Sequence, residues 1–183
     1  MTLGDEQGAP IAVIGLGSVL LTDDGFGPNV VELLRAEWDF PEDVAVVDAG
    51  TPGLGLAGYL HRREVVILID TVAAPGAPGE LRAYRGEELR LLPMKPRVNP
   101  HDPAVQEALW IAELGGHGPR DVSLIGVIPS STEPGTSLSA TVQPAVTAAA
   151  ERVITELAAR GITARRRDTP RATQAWWIEA QPR

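Results

Sequence analysis

Val65-Val66-Ile67-Leu68-Ile69-Asp70 decides how the rest of the chain is read. Five aliphatic residues in a row, most of them β-branched, suit a strand. The run has no polar alternation, so both faces of that strand must be covered. Asp70 marks the point where it leaves the core. Upstream, Ile11-Ala12-Val13-Ile14-Gly15-Leu16 is a second run of this kind, closed by Gly17. Val44-Ala45-Val46-Val47 is a third and ends in Asp48-Ala49-Gly50-Thr51-Pro52. Downstream, Val122 to Ile128 is a fourth, and Glu80 to Tyr84 is a weaker strand candidate.

Helical patterns fall between these runs. Pro28 suits a first turn, and Val30, Leu34 and Trp38 recur at a spacing of four. Residues 53–63 are Gly-rich and weakly helical. Residues 104–114 place Val105, Leu109 and Ala112 on one side. Val142, Val146, Ala149, Val153 and Leu157 mark a long last helix, with Pro144 in its first turn and Gly161 as its stop. Ala73 to Gly79, the four-proline stretch Pro93 to Pro103 and Pro129 to Ser139 are loops by composition. Strands alternating with helices predict an α/β fold with three αβα layers: one twisted, mostly parallel sheet with helices on both faces. A single domain over 1–163 is expected. Residues 164–183 lack periodicity and carry Arg165-Arg166-Arg167, which predicts a flexible C-terminal tail, with Trp176-Trp177 as the pair that could dock.

Composition narrows the function. The chain has 183 residues, 44% of them hydrophobic and 22% charged, within the globular range. Cysteine is absent, which excludes a disulfide framework, a thiolate zinc site, an iron–sulfur cluster and a cysteine nucleophile. A net charge of −8 opposes binding to a phosphate backbone, so no nucleic-acid partner is expected. No apolar run reaches the length of a membrane span, and residues 1–10 have neither a basic start nor an apolar stretch. No membrane association is expected, and cytoplasm follows by exclusion.

Ligands of such sheets bind beyond the carboxyl ends of the strands. Three of these ends are acidic: Asp23-Asp24 after the first run, Asp48 after the second and Asp70 after the third. A single Asp there can as well cap a helix or close a turn. Three together point to a shared rim. Gly15-Leu16-Gly17 resembles the start of a dinucleotide-binding loop. However, Leu20 occupies the third glycine position, and two aspartates would repel a phosphate. Ser130-Ser131-Thr132 follows a strand but lacks the elbow of a serine hydrolase. His61 and His117 read as surface residues. His101 lies in Asn99-Pro100-His101-Asp102-Pro103, just before a helix, and with the strand-end carboxylates would supply a mixed N/O site for a divalent ion.

These residues resemble the endopeptidases that mature [NiFe]-hydrogenase large subunits. The likeness begins at Val13-Ile14-Gly15-Leu16-Gly17-Ser18-Val19-Leu20-Leu21-Thr22-Asp23-Asp24-Gly25-Phe26-Gly27, against the pattern GxGNxLxxDDGxG. It continues through Asp48-Ala49-Gly50-Thr51, Ile67-Leu68-Ile69-Asp70, Pro100-His101, Gly126-Val127-Ile128-Pro129, Glu133-Pro134 and Leu138-Ser139, in family order over roughly 11–160. Ser18 stands where the family has Asn, and Ala49 where it has the first Gly of D-G-G-T.

The resemblance implies removal of a C-terminal extension from a hydrogenase large-subunit precursor, after a basic residue, once nickel has been inserted. It assigns the metal-contacting and catalytic positions to Asp24, Asp70 and His101, with Asp23 and Asp48 as neighbours. It implies nickel carried by the substrate, for which zinc or cadmium can substitute in crystals. Two mechanisms remain open: polarisation of the scissile carbonyl by the metal, and a pair of aspartates sharing a proton to activate water. The family is classed with aspartic peptidases. The alternative reading is a nickel-sensing maturation chaperone without proteolytic activity.

Overall fold

The first strand, β1 (Ile11–Leu16), is buried along its whole length. It lies between β3 (Val44–Gly50) and β4 (Val65–Thr71), parallel to both. β6 (Asp121–Val127) extends the sheet beyond β4 in parallel. β5 (Leu81–Arg85) closes that edge antiparallel to β6. The order is β3-β1-β4-β6-β5 in this computed structural model, which describes residues 8–90, 105–173 and 175–179.

The side-chain period of two explains why these strands lack polar alternation. Ile11, Val13, Val44, Val46, Ile67, Ile69, Ile125 and Val127 face one helical layer. That layer is α1 (Phe26–Glu37) and α5 (Ala145–Ala158), which meet through Phe26, Val30, Leu34, Ala149, Val153 and Leu157. Ala12, Ile14, Leu16, Val66, Leu68, Val122 and Leu124 face the opposite layer. It is made by α2 (Leu56–Leu60), α3 (Gly86–Arg90) and α4 (Val105–Leu114), through Leu56, Leu60, Leu89, Ala108 and Leu109. Each fully buried Ile, Leu or Val is worth roughly 1.5–3 kcal/mol, so burial on both faces outweighs β propensity in choosing these residues. The expected three-layer α/β architecture is the one observed.

Two local expectations change. Trp38 is not the end of the helical stripe. α1 stops at Glu37, and Trp38 is extended, with φ −126° and ψ 143°. With Asp39 it forms β2 (Trp38–Asp39), which pairs antiparallel with β7 (Arg165–Arg166). The last helix begins at Ala145, although Val142 is fully buried ahead of it.

The flexible tail expected over 164–183 is instead docked through its described residues. Charge and backbone pairing hold it, which is why hydrophobic periodicity missed it. Arg166 reaches Glu37 at 2.7 Å, and its guanidinium lies 5.7 Å from the centre of the Trp38 ring. Arg167 pairs with Asp39 at 2.7 Å and donates to the carbonyl oxygen of Ala36 at 2.9 Å. A guanidinium on the unpaired carbonyls at a helix C-terminus satisfies acceptors and complements the helix dipole. The Arg167 guanidinium beside Asp39 holds that carboxyl below its ordinary value, against the opposing effect of desolvation, with Arg165 adding to the lowering. The segment then runs back along α1. The Thr173 hydroxyl donates to Glu32 at 2.6 Å, and Ala175 is buried. The strap ends in α6 (Trp176–Glu179), where the Trp176 and Trp177 rings meet edge to face with centroids 6.0 Å apart.

A chain stopped after Thr163 is therefore expected to melt lower, by on the order of 5 °C, because α1 loses its C-terminal cap and the docked strap. Thermal unfolding followed by circular dichroism checks this, and an unchanged melting temperature would refute the packing role of the strap.

Candidate active site

Gly17 turns the chain at the end of β1 with φ +116°, and a Cβ on it would lie 1.8 Å from the carbonyl oxygen of Asp24. Only glycine permits this return, which folds residues 18–24 back over the strand end. The Ser18 amide then donates to Oδ2 of Asp24 at 2.7 Å. The main chain makes this bond, so serine in place of the family's asparagine leaves it intact. Gly27 is the second close approach. Its Cβ would sit 2.3 Å from the oxygen of Leu16 and 2.6 Å from that of Ile69. The first turn of α1 is thereby pressed onto the ends of β1 and β4. Asp24 lies two residues before that helix, where its positive end favours a carboxylate.

The two aspartates of the first motif part company. Asp23 is fully buried. It accepts from the amides of Ser130 at 2.8 Å, Ser131 at 3.0 Å and Ser139 at 2.7 Å, and from the Ser139 hydroxyl at 2.9 Å. It fastens the 130–139 loop to the rim, helped by Thr22, whose amide donates to Gly135 at 2.9 Å and whose hydroxyl donates to Ser131 at 2.7 Å. Ser130 and Ser131 thus hold Asp23 through their amides, and the Ser131 hydroxyl accepts from the Glu133 amide at 3.2 Å. Asp24 is half-buried at the rim.

Asp70 is also half-buried, at the end of the neighbouring strand β4. Its Oδ1 accepts from the Thr71 amide at 2.7 Å, while the Thr71 hydroxyl points to Oδ1 of Asp24 at the long distance of 3.5 Å. Thr71 therefore stands between the two carboxylates. The sequence reading passed over it, although a hydroxyl residue directly after a strand-end Asp was the available signal. Asp48 closes its own turn: its Oδ1 accepts from the Gly50 amide at 2.9 Å, and the Gly50 carbonyl accepts from the Gly17 amide at 2.9 Å. The ends of β3, β1 and β4 are thus joined along one rim carrying Asp48, Asp24 and Asp70. His101 lies outside the described residues, and among those described no three His, Cys, Asp or Glu side chains gather as a metal cluster. His61 and His117 precede β4 and β6 and so lie toward the opposite rim, with ring centroids 4.6 Å apart.

The profile of one protein family, "HycI: Hydrogenase maturation protease", matches residues 28–156, well over half of the chain. The chain belongs to the hydrogenase maturation protease family. It is similar to the Hydrogenase 2 maturation protease of Escherichia coli (strain K12), with 34% identity over 155 residues that cover 84% of this chain and 94% of that protein. It is also similar to the hydrogenase expression/formation protein HoxM of Azotobacter vinelandii, 35% identical over 86% of this chain and 77% of that one. Its fold matches that of the hydrogenase maturating endopeptidase HybD from E. coli, with a TM-score of 0.78 and 34% identity, covering 88% of this chain and 97% of that one. As a hydrogenase maturation protease the chain is a hydrolase of the endopeptidase kind. No helix among its described residues is long and apolar enough to cross a membrane.

Proposed function

We propose that this protease removes the C-terminal extension of a [NiFe]-hydrogenase large-subunit precursor after nickel insertion, and that Asp24, Asp70 and His101 engage the nickel which the substrate carries. The observation that supports it most is the placement of Asp24 and Asp70 at the ends of adjacent strands, with Thr71 between them. Carboxylate oxygens suit a divalent ion, and an imidazole adds a nitrogen donor that first-row metals favour. A set of this kind leaves coordination positions for the ligands of the incoming subunit.

Grasping the substrate's nickel at the rim brings the adjoining peptide bond next to the two carboxylates. Hydrolysis then adds water across the C–N bond: the carbonyl carbon takes the hydroxyl and the leaving nitrogen takes a proton. His101 has no part in a simple carboxylate dyad, which favours recognition of the metal as the step that licenses the cut.

A gel assay tests this reading. The purified chain is expected to shorten a nickel-loaded large-subunit precursor and to leave a nickel-free one intact. Equal cleavage of both forms would overturn the role of nickel, and cleavage of neither would overturn the assignment of substrate.

A further inference from the structure

Two of the chain's three histidines meet far from the rim aspartates. His61 follows α2, His117 lies in the turn between α4 and β6, and both residues are exposed. Main-chain bonds fix the two loops against each other. The Arg62 amide donates to the carbonyl oxygen of His117 at 3.0 Å, and the His117 amide donates to that of Ala112 at 3.1 Å. The carbonyl oxygen of Glu64 accepts from the amides of Arg120 and Asp121, both at 3.0 Å. Arg62 is held in the left-handed region with φ +57°, a conformation that costs a residue with a side chain about 1–2 kcal/mol. Arg63 is buried and anchors the same loop by donating to the carbonyl oxygens of Tyr59 and Ala9. Exposed rings gain little from packing, so it is this backbone frame that brings the two imidazoles together.

Their ring centroids stand 4.6 Å apart, with the planes inclined by 70°. With a metal–nitrogen bond of about 2.1 Å and a ring centre about 1.1 Å behind the nitrogen, two imidazoles at about 90–109° on one ion have centroids about 4.5–5.2 Å apart. The observed spacing falls in that range. The outer side-chain torsion of histidine is broad, so exposed rings turn at little cost to aim their nitrogens at one ion. Two neutral nitrogens suit nickel, copper or zinc better than magnesium or calcium, and the net charge of −8 draws cations to the surface. We infer that His61 and His117 form a two-imidazole site for a divalent first-row metal ion, with water in the remaining positions. The pair precedes β4 and β6, at the end of the sheet opposite Asp24 and Asp70, so the site is separate from any nickel that a substrate carries. An ion held there ties the loop after α2 to the turn before β6.

The test is a calorimetric titration of the full chain with nickel chloride. The wild-type chain is expected to bind nickel, and His61→Gln and His117→Gln are each expected to bind it at least about tenfold more weakly, because either change leaves a single imidazole. The double variant Asp24→Asn, Asp70→Asn removes the rim carboxylates and is expected to keep the site. In that background nickel is also expected to raise the melting temperature by a few degrees, since the ion binds the folded chain, and to lose this effect when His61→Gln is added. Circular dichroism melts without metal show that each variant folds. No binding by the wild-type chain up to about 1 mM nickel overturns the site. Equal binding by the wild-type chain and both glutamine variants overturns it as well. So does binding that disappears in Asp24→Asn, Asp70→Asn, which would place the nickel at the rim. The precursor gel reads the proposed function separately, since none of these outcomes depends on cleavage.

Discussion

Asp70→Asn is expected to reduce cleavage of the nickel-loaded precursor by on the order of 10⁴-fold, the scale seen when a group acting at the reacting centre is removed. Asp24→Asn is expected to do the same. Both variants should keep the fold. An asparagine at position 70 still offers an oxygen to the Thr71 amide, and one at position 24 still offers an oxygen to the Ser18 amide. Each loses the negative charge that a metal or an attacking water requires. Asp23→Asn should show the opposite pattern. Both of its carboxylate oxygens accept hydrogen bonds in a fully buried position, so an amide –NH₂ would face donors. Leaving such groups unsatisfied costs about 1–3 kcal/mol, so Asp23→Asn should melt several degrees lower. Initial rates on gels and thermal melts of the three variants separate these roles. Full cleavage by Asp70→Asn would refute its place at the centre.

Glu156→Gln is expected to cost the most stability. Glu156 lies in α5 with its side chain 3% exposed. It pairs with Arg85 from β5, with Arg152 at 3.0 Å and with Arg160 at 2.8 Å, and Arg160 also reaches Asp121 at 2.7 Å. Desolvation raises the pKa of this carboxyl, but hydrogen bonds from Arg85, Arg160 and Arg152 and the charge of Arg85 outweigh it and bring it from 4.5 to about 2. A folded-state pKa below the unfolded one stabilises the fold above the unfolded value, and that stabilisation is lost as pH falls through the folded value. Wild-type stability should therefore decline between pH 4.5 and about 2 on account of this group. At pH 7 the glutamine variant leaves clustered guanidiniums without their carboxylate, at a cost of about 3 kcal/mol, or roughly 6–12 °C in melting temperature. The gap between wild type and variant should narrow as the buffer is taken toward pH 2. A gap that stays constant across that range would show that ionisation of Glu156 contributes nothing.

The fold could be read from residue types because burial on two faces leaves a direct trace. Val65 to Ile69 and Ile11 to Ile14 are aliphatic throughout since every second side chain enters a different helical layer. Helix periodicity marked α1 and α5 for the same reason. The acidic strand ends were legible too, because a parallel sheet places the carboxyl ends of its strands on one rim. Residue types alone did not separate Asp23 from Asp24. Both are carboxylates, and the difference lies in donors from 107 to 116 positions away: the amides of Ser130, Ser131 and Ser139 that surround Asp23. Nor did they show Thr71 between Asp24 and Asp70, since its hydroxyl contact crosses from β4 to the loop after β1. The strap escaped notice for a related reason. Arg165, Arg166 and Arg167 look like a solvated basic run until Glu37, Asp39 and the carbonyl oxygens at the end of α1 are brought opposite them. Hydrophobic burial is recorded locally, in the spacing of apolar residues. Ion pairs, caps and the partners of a carboxylate join residues far apart in the chain, and only their meeting in space gives each one its role.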